Sequence, residues 1–341
     1  MGNISHYDII LITNQPAFYK VKQWNQIATR KKVLMVFMDQ KEKDRNNDFV
    51  SETPSFKYYI LPKSKLFGFW KLISIITRSS YKQLILGGWD DWRLILLPFL
   101  SRKGKNALLC ESSFYEFRPG FVKDLIKKII LLRISVVYPS GIAQGRIFEY
   151  LGFKGKYRYT GGCGLLNYIE QPAYQPRTEV KSFLYVGRLV EVKNLRMLIE
   201  VFNQFPELNL NVIGFGEQEA ELKQLAKENV HFLGAVDNKQ LTSYYQQADV
   251  FILPSNSEVW GLVIEEALNN GTPVIVSDKV GCRDDLVTEE TGLVFNAGNH
   301  ESLTQAIVKI RNIDFYNQLR KNIAKLDFCA RAKRQVEVFL E

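Results

Sequence analysis

Residues Ala248–Asp278 read ADVFILPSNSEVWGLVIEEALNNGTPVIVSD, and this stretch decides the fold class of the chain. It predicts a strand at Val250–Leu253, a polar loop, a helix at Gly261–Leu268 and a second strand at Val274–Val276. A loop that enters a helix directly after a strand of a parallel sheet directs free backbone N–H groups into the crevice where such folds bind ligands. These N–H groups and the positive end of the helix dipole form an anion site, which usually holds a phosphate.

Two glutamates frame this anion site, Glu258 in the loop and Glu266 in the second helical turn. One interpretation is that an acidic side chain near a helix N-terminus stabilises the helix dipole, by about 0.3–1 kcal/mol. The other is that the carboxylates accept hydrogen bonds from hydroxyl groups of a ligand whose phosphates lie on the helix. A nucleotide sugar carries both phosphates and hydroxyl groups.

The whole pattern Pro254-Ser255-x-x-Glu258-x-x-Gly261-Leu262-x-x-x-Glu266-Ala267 resembles the paired-glutamate signature of the family 4 retaining glycosyltransferases, which belong to the glycosyl transferases group 1. A second segment, Gly187-Arg188-x-x-x-x-Lys193, is similar to another segment of that family. The resemblance covers Phe183–Ile310 well and concerns only the fold over the first half of the chain.

The resemblance implies an α/β chain of GT-B architecture, with two Rossmann-like, doubly wound domains facing each other across a cleft. We expect an acceptor-binding domain at 1–170, a linker at 171–180, a donor-binding domain at 181–315 and a C-terminal helix at 316–341 that crosses back to the first domain. The reaction it implies is transfer of a hexose-type sugar from a nucleotide-diphosphate sugar to a glycan or lipid-linked acceptor, with retention of anomeric configuration. Cell-surface polysaccharide synthesis is the expected context.

The candidate catalytic residues are Arg188, Lys193 and Glu258. Arg188 follows the predicted strand Phe183–Val186 and Lys193 precedes a predicted helix, so both are placed at the carboxyl-end crevice of a parallel sheet. An arginine makes forked contacts to phosphate and a lysine supplies a mobile point charge. By resemblance, Glu258 holds sugar hydroxyls and Glu266 holds ribose hydroxyls. The other donor-binding candidates include Gly261, Leu262 and Val263, whose N–H groups lie at the helix start. By resemblance, the base lies against Ala235 and Val236, and the loop with Gly214 and Gly216 borders the nucleotide pocket.

No Asp-x-Asp pair, the divalent-metal motif of metal-dependent transferases, occurs in the chain. We therefore expect no metal and no other cofactor. We expect Arg188, Lys193 and the helix N–H groups to stabilise the negative charge that grows on the departing diphosphate.

The first half alternates predicted strands and helices, and several strands are apolar throughout, as in a parallel sheet covered on both faces. The acceptor-side candidates follow two of these strands. Trp89 and Asp90 lie in Gly87-Gly88-Trp89-Asp90-Asp91-Trp92, whose rings either stack on a sugar or pack between domains. Glu111 follows the predicted strand Ala107–Leu109.

Charge is unevenly distributed: residues 1–170 contain 27 Lys and Arg against 13 Asp and Glu, whereas residues 171–341 contain 18 against 23. The basic segments Lys63–Lys82 and Phe121–Val137 also carry large apolar residues. They are either ordinary covering helices or helices that dock shallowly on anionic lipid. No nucleic-acid recognition motif accompanies the basic residues, so we expect no nucleic-acid partner.

The compartment follows from what the sequence lacks. No apolar run reaches the 18 or so residues of a membrane span, and we expect no signal peptide. Four scattered cysteines fit a reduced cytosolic protein. The expected location is cytoplasmic, and peripheral on the inner membrane face.

Other function classes stay open. A nucleotide-sugar epimerase or hydrolase of related two-domain fold is one, and a non-catalytic protein that binds a nucleotide sugar or a membrane is another. A nicotinamide oxidoreductase is excluded, because Gly214-Phe215-Gly216 is followed by Glu219 where the dinucleotide fingerprint needs a third glycine.

Overall fold

The structure is a computed structural model that describes residues 5–38 and 50–341. The chain divides into two compact units. The first unit runs to Leu165 and includes Ala332–Glu341, and the second unit is Leu166–Arg331. Each unit is a Rossmann-like α/β domain built on one parallel sheet.

The first unit contains a sheet of seven described strands in the order β3-β2-β1-β4-β5-β6-β7. The strands are β1 (Ser5–Thr13), β2 (Val33–Phe37), β3 (Lys57–Ile60), β4 (Ser79–Leu86), β5 (Asn106–Cys110), β6 (Val136–Pro139) and β7 (Lys156–Tyr157). The helices of this unit are α1 (Phe18–Ala28), α2 (Lys65–Arg78), α3 (Trp92–Leu100), α4 (Phe121–Leu131) and α5 (Ile142–Tyr150). The direction of winding reverses between β1 and β4.

The second unit contains a sheet of six described strands in the order β10-β9-β8-β11-β12-β13. The strands are β8 (Ser182–Val186), β9 (Asn209–Ile213), β10 (Val230–Gly234), β11 (Val250–Leu253), β12 (Val274–Ser277) and β13 (Gly292–Phe295). The helices are α6 (Leu195–Phe202), α7 (Glu219–Leu225), α8 (Leu241–Gln247), α9 (Leu262–Asn269), α10 (Arg283–Leu286), α11 (His300–Ile310) and α12 (Ile313–Ile323). The last helix, α13 (Phe328–Glu337), contains the division after Arg331.

The central strands are buried because they are apolar on both faces. All residues of β2, β11 and β12 are buried, and helices cover both sides of a sheet wound in this way. In the second sheet the winding reverses between β8 and β11. Open α/β sheets bind their ligands beyond the carboxyl ends of the strands at such a reversal. Arg188 and Lys193 follow β8, and Glu258 follows β11, so these candidate donor residues lie at the reversal.

The two segments that flank the second unit take definite positions. The expected linker 171–180 packs on the second unit, where Gln171 donates from Nε2 to the carbonyl of Leu268 over 2.8 Å. Residues 332–341 pack in the first unit. Gln23 donates to the carbonyl of Gln335 over 2.9 Å, and the Phe339 ring lies 5.0 Å from that of Trp24.

Candidate functional site

The loop after β8 places Arg188 and Lys193 at the winding reversal of the second sheet. The buried hydroxyl of Tyr185, at the end of β8, donates to the backbone carbonyl of Arg188 over 2.9 Å. Lys193 closes a single 3-10 turn, and Asn194 then adopts a left-handed conformation with φ of 56° before α6 begins at Leu195. The Tyr185 hydrogen bond therefore fixes the loop backbone, and the loop places Arg188 and Lys193 just beyond the carboxyl end of β8.

The loop after β11 brings Glu258 to Lys193, and the two side chains form an ion pair. Both side chains are largely withdrawn from water, with 14% and 15% of their surfaces exposed. The backbones are joined as well, because the N–H of Asn256 donates to the carbonyl of Val192 over 2.8 Å. Three candidate catalytic residues predicted from separate motifs thus lie on two adjacent loops.

The helix that follows, α9, begins at Leu262, one residue later than the sequence predicts. Gly261 is its N-terminal cap and has a φ of 101°, a conformation that favours glycine. A Cβ atom there would lie 3.0 Å from Ile264 Cδ1. Within residues 5–38 and 50–341, no hydrogen bond joins the N–H groups of Gly261, Leu262 and Val263 to a protein acceptor. They are the orphan donors of the helix start.

Glu266 lies in the second turn of α9, and its carboxylate accepts a hydrogen bond of 2.7 Å from the hydroxyl of Tyr245. Tyr245 is buried on α8, and burial, followed by the facing Glu266 carboxylate, holds its pKa well above the usual range. The hydroxyl therefore stays protonated and orients the carboxylate. Sequence reasoning did not find Tyr245, because its partner is 21 residues away and no pattern connects them.

The glycines of the loop after β9 pack against the backbone that carries Arg188. A Cβ atom on Gly214 would lie 1.8 Å from the carbonyl oxygen of Gly187, and one on Gly216 would lie 2.3 Å from that of Leu189. Glycine is thus required at both positions for close backbone approach. Ala235 and Val236, which follow β10, lie at the same carboxyl edge of the sheet.

A buried carboxylate that sequence reasoning missed lies beside the start of α9. Glu265 is fully buried and accepts hydrogen bonds from Trp260 Nε1 at 2.6 Å and from the Tyr168 hydroxyl at 2.5 Å. Burial raises its pKa, although the charge of Arg331 acts in the opposite direction. The backbone of Trp260 also accepts from the N–H of Cys282 over 2.9 Å. These bonds fix the residue that precedes Gly261.

In the first unit, Glu111 follows β5 and forms an ion pair with Lys20 of α1, at 2.9 Å. Burial disfavours the charged form of Lys20, but the facing carboxylate more than offsets this and raises the pKa of Lys20. Both residues line a small pocket with Thr13 and Cys163. Lys20 carries no sequence signal, since it lies 91 residues from its partner in an ordinary helix.

Trp89 and Asp90 line a different cavity of the first unit, of about 490 Å³. The Trp89 ring is buried 5.5 Å from that of Phe148, and Lys127 Nζ lies 4.8 Å from its centroid. Trp89 therefore packs inside the first unit. Glu111 thus lines one pocket, and Trp89 and Asp90 line another.

No group of three or more His, Cys, Asp or Glu side chains is placed to hold a metal ion in the described ranges. In the same ranges, no helix is long and apolar enough to cross a membrane.

A comparison of the sequence with protein families matches the segment that holds the whole candidate donor site. Residues 169–326 match the glycosyl transferases group 1. This group 1 segment lies within the second unit and contains all of the candidate donor-site residues, from Arg188 to Glu266.

Solved structures resemble the whole chain. Sucrose-phosphate synthase from Thermosynechococcus elongatus is 22% identical with a TM-score of 0.71, over 98% of this chain and 96% of that one. HepE from Anabaena, solved in complex with UDP, is 14% identical with a TM-score of 0.71, over 98% of this chain and 97% of that one. At these identities the likeness concerns the fold. The chain has the GT-B fold, with two Rossmann-like domains.

Among curated proteins, the sulfoquinovosyl transferase of Arabidopsis thaliana is 32% identical over 147 residues, which are 42% of this chain and 28% of that protein. The chain spans less than half of the length of the first curated relatives that it matches.

Proposed function

We propose that this chain is a glycosyltransferase that transfers a hexose-type sugar from a nucleoside-diphosphate sugar to a hydroxyl acceptor. One observation carries the proposal. Arg188, Lys193 and the first N–H groups of α9 lie at the winding reversal of the second sheet, inside the group 1 segment. Two cations and a helix N-terminus suit a diphosphate, and the carboxylates of Glu258 and Glu266 suit hydroxyl groups.

The proposed reaction uses these groups as the bond between the sugar's anomeric carbon and the diphosphate oxygen breaks. The electron pair of that bond moves to the diphosphate, where negative charge grows. Arg188, Lys193 and the N–H groups of α9 stabilise this charge, and removing one such donor commonly costs about 10²–10³ in rate. Glu258 holds hydroxyl groups of the sugar near the reacting carbon, while Glu266, held by Tyr245, holds the ribose hydroxyls.

The stereochemical part of the proposal is retention. The acceptor oxygen bonds to the anomeric carbon on the face from which the diphosphate leaves, and the acceptor proton passes to a diphosphate oxygen. No side chain acts as a nucleophile in this scheme. A bound metal is not needed, because the two cations and the helix start carry the phosphate charge.

The acceptor is proposed to be a glycan or a lipid-linked glycan bound by the first unit, in cell-surface polysaccharide synthesis. Glu111, held by Lys20, is one candidate contact with it, and Trp89 with Asp90 is another. The likeness to a protein solved with UDP makes a uridine-diphosphate sugar the first donor to test.

Thermal shift measurements test the donor site directly. Ligands that bind only the native state raise its stability, by about 2.7 kcal/mol at a hundred times the dissociation constant. We expect one of UDP, GDP or ADP to raise the melting temperature of the wild type. Arg188→Ala should melt at the wild-type temperature without ligand and should lose the shift. If no nucleoside diphosphate shifts the wild type, or if Arg188→Ala keeps the full shift, the donor site is wrong.

The nucleotide identified in this way then defines the assay of the reaction. Incubating its sugars with acceptor should yield a glycoside with the donor's anomeric configuration, in the presence of excess EDTA as well. An activity that requires a divalent ion would contradict the metal-independent scheme. Release of free sugar or of an epimer without any acceptor would identify a hydrolase or an epimerase instead.

A further inference from the structure

Three helices of the first unit form one continuous layer on the sheet. The crossovers from β3 to β4, from β4 to β5 and from β5 to β6 run in one direction, and right-handed connections place α2, α3 and α4 on the same face. The Phe69 ring of α2 lies 4.9 Å from the Trp92 ring of α3. Arg133, just after α4, donates to the carbonyl of Ser101, just after α3, over 2.9 Å. We call the side of this layer that is turned away from the sheet the outer helix face.

The outer helix face exposes large apolar side chains. Phe121 is 86% exposed, Phe67 71%, Leu132 67% and Trp70 60%. The opposite sides of the same helices already bury apolar residues against the sheet. These helices are thus apolar on both sides, which an ordinary covering helix is not. A patch of this kind on a folded domain marks a surface that binds a partner.

The charge of the outer helix face is positive. Residues 63–78, 92–105 and 121–133 contain eight exposed Lys and Arg and one acidic residue, Asp124. Asp124 is turned inward, where it is 8% exposed and accepts a hydrogen bond of 3.0 Å from the Tyr150 hydroxyl. Exposed lysines, among them Lys65, Lys71 and Lys128, lie between the apolar side chains.

We infer that the outer helix face docks on the surface of an anionic lipid bilayer. Aromatic and aliphatic side chains enter the boundary between headgroups and acyl chains, and lysines between them reach anionic headgroups. A second copy of the chain would present the same positive face and would be repelled. Nucleic acid would satisfy the lysines, but it offers nothing to the exposed leucine, isoleucine and phenylalanine side chains. The inference does not rest on the proposed function, because vesicle binding requires no sugar transfer.

Vesicle sedimentation with the full chain tests the inference. We expect binding to vesicles of phosphatidylcholine with phosphatidylglycerol, weak binding to phosphatidylcholine alone, and a loss of binding as salt rises. The double variant Phe67→Ser/Trp70→Ser should bind about tenfold more weakly, since it removes two apolar anchors. The control is Val308→Ser on α11 of the second unit, which also changes an exposed apolar residue, 56% exposed, and should bind as the wild type does.

Tryptophan fluorescence gives an independent measurement. Trp24, Trp89 and Trp260 are buried, whereas Trp70 and Trp92 are exposed on α2 and α3. Anionic vesicles should therefore shift the emission to the blue in the wild type, and Trp70→Ser should remove most of the shift. Melting temperatures of the variants confirm that they are folded.

Three results would overturn the inference. One is that the folded wild type fails to bind anionic vesicles. Another is that binding is unchanged in Phe67→Ser/Trp70→Ser. The third is that the chain ignores vesicles but self-associates through this face, with the dimer lost in the same variant.

Discussion

The ammonium group of Lys193 contacts the carboxylate of Glu258, which lies 65 residues further along the chain. This ion pair joins the loop after β8 to the loop after β11 at the winding reversal of the second sheet. Because only about 15% of each side chain is exposed, each charge depends on the other for compensation. The pair therefore organises the candidate donor site as well as contributing to it.

Loss of either partner should affect both stability and activity. Lys193→Met leaves the Glu258 carboxylate with little water and should lower the free energy of unfolding by about 1–3 kcal/mol. The double variant with Glu258→Gln should recover part of that loss, with a coupling energy of about 1 kcal/mol or more. The kcat of Lys193→Met should fall by about 10²–10³. Urea unfolding and transfer rates measure these effects.

The matched control is the exposed pair Lys223–Glu219, one helical turn apart on α7. Lys223→Met should cost less than about 0.5 kcal/mol and leave kcat unchanged. Equal costs in Lys193→Met and Lys223→Met would show that the Lys193–Glu258 pair has no special role.

Tyr245→Phe removes the hydroxyl that orients Glu266. We expect KM for the donor to rise about fivefold, the value of one hydrogen bond of about 1 kcal/mol, with kcat unchanged. Since the pKa of Tyr245 is held well above its usual range, the effect should be independent of pH in neutral buffers. Tyr316→Phe is the control, because this buried hydroxyl donates to the carbonyl of Asp249 over 2.8 Å. It should cost similar stability without changing KM, and a rise in KM there would point to a general packing effect.

Gly214→Ala should both destabilise the second unit and weaken donor binding. Its Cβ would overlap the carbonyl oxygen of Gly187, and φ at this residue is 140°. We expect a loss of more than about 2 kcal/mol and displacement of the Arg188 loop. The control is Gly298→Ala. The φ of Gly298 is also positive, at 73°, but no atom lies within 4 Å of the added Cβ. Gly298→Ala therefore measures the effect of backbone strain without a steric overlap. If Gly214→Ala and Gly298→Ala lose the same nucleotide affinity, the close packing of Gly214 against Gly187 does not support donor binding.

Lys20→Met should destabilise the first unit by about 3 kcal/mol, because Glu111 loses its ion-pair partner. The pKa of Lys20 is raised in the folded chain, so its stabilising contribution is fully present below the pKa of an unfolded lysine and is lost only as pH rises beyond it. The difference between wild type and variant should therefore stay constant between about pH 6 and pH 9. Chemical unfolding at several pH values measures this, and a difference that shrinks within that range would contradict the raised pKa.

Much of the secondary structure follows from local pattern. The predicted bounds of β11, Val250–Leu253, are those of the structure, because a uniformly apolar run that ends at Pro254 defines this strand. The two-residue edge strand β7 carries no such signal. The segment Lys63–Lys82, predicted as one helix, is helical only from Lys65 to Arg78 and enters β4 at Ser79. Pairing with β1 extends that strand.

The sequence by itself determined the alternation of strands and helices in both halves, and it identified Arg188, Lys193, Glu258 and Glu266 as one set. It could do so because the two segments that carry these residues resemble segments of a glycosyltransferase family, and because both segments follow predicted strands. Only the tertiary structure decided which side chains form ion pairs or hydrogen bonds with the candidate carboxylates. Lys193 pairs with Glu258, Tyr245 holds Glu266, and Lys20 holds Glu111. Such partners are far apart in sequence and meet only when the sheet order is set, so no local periodicity encodes them. The same holds for the outer helix face, because amphipathic spacing does not show which apolar residues remain exposed after the helices pack.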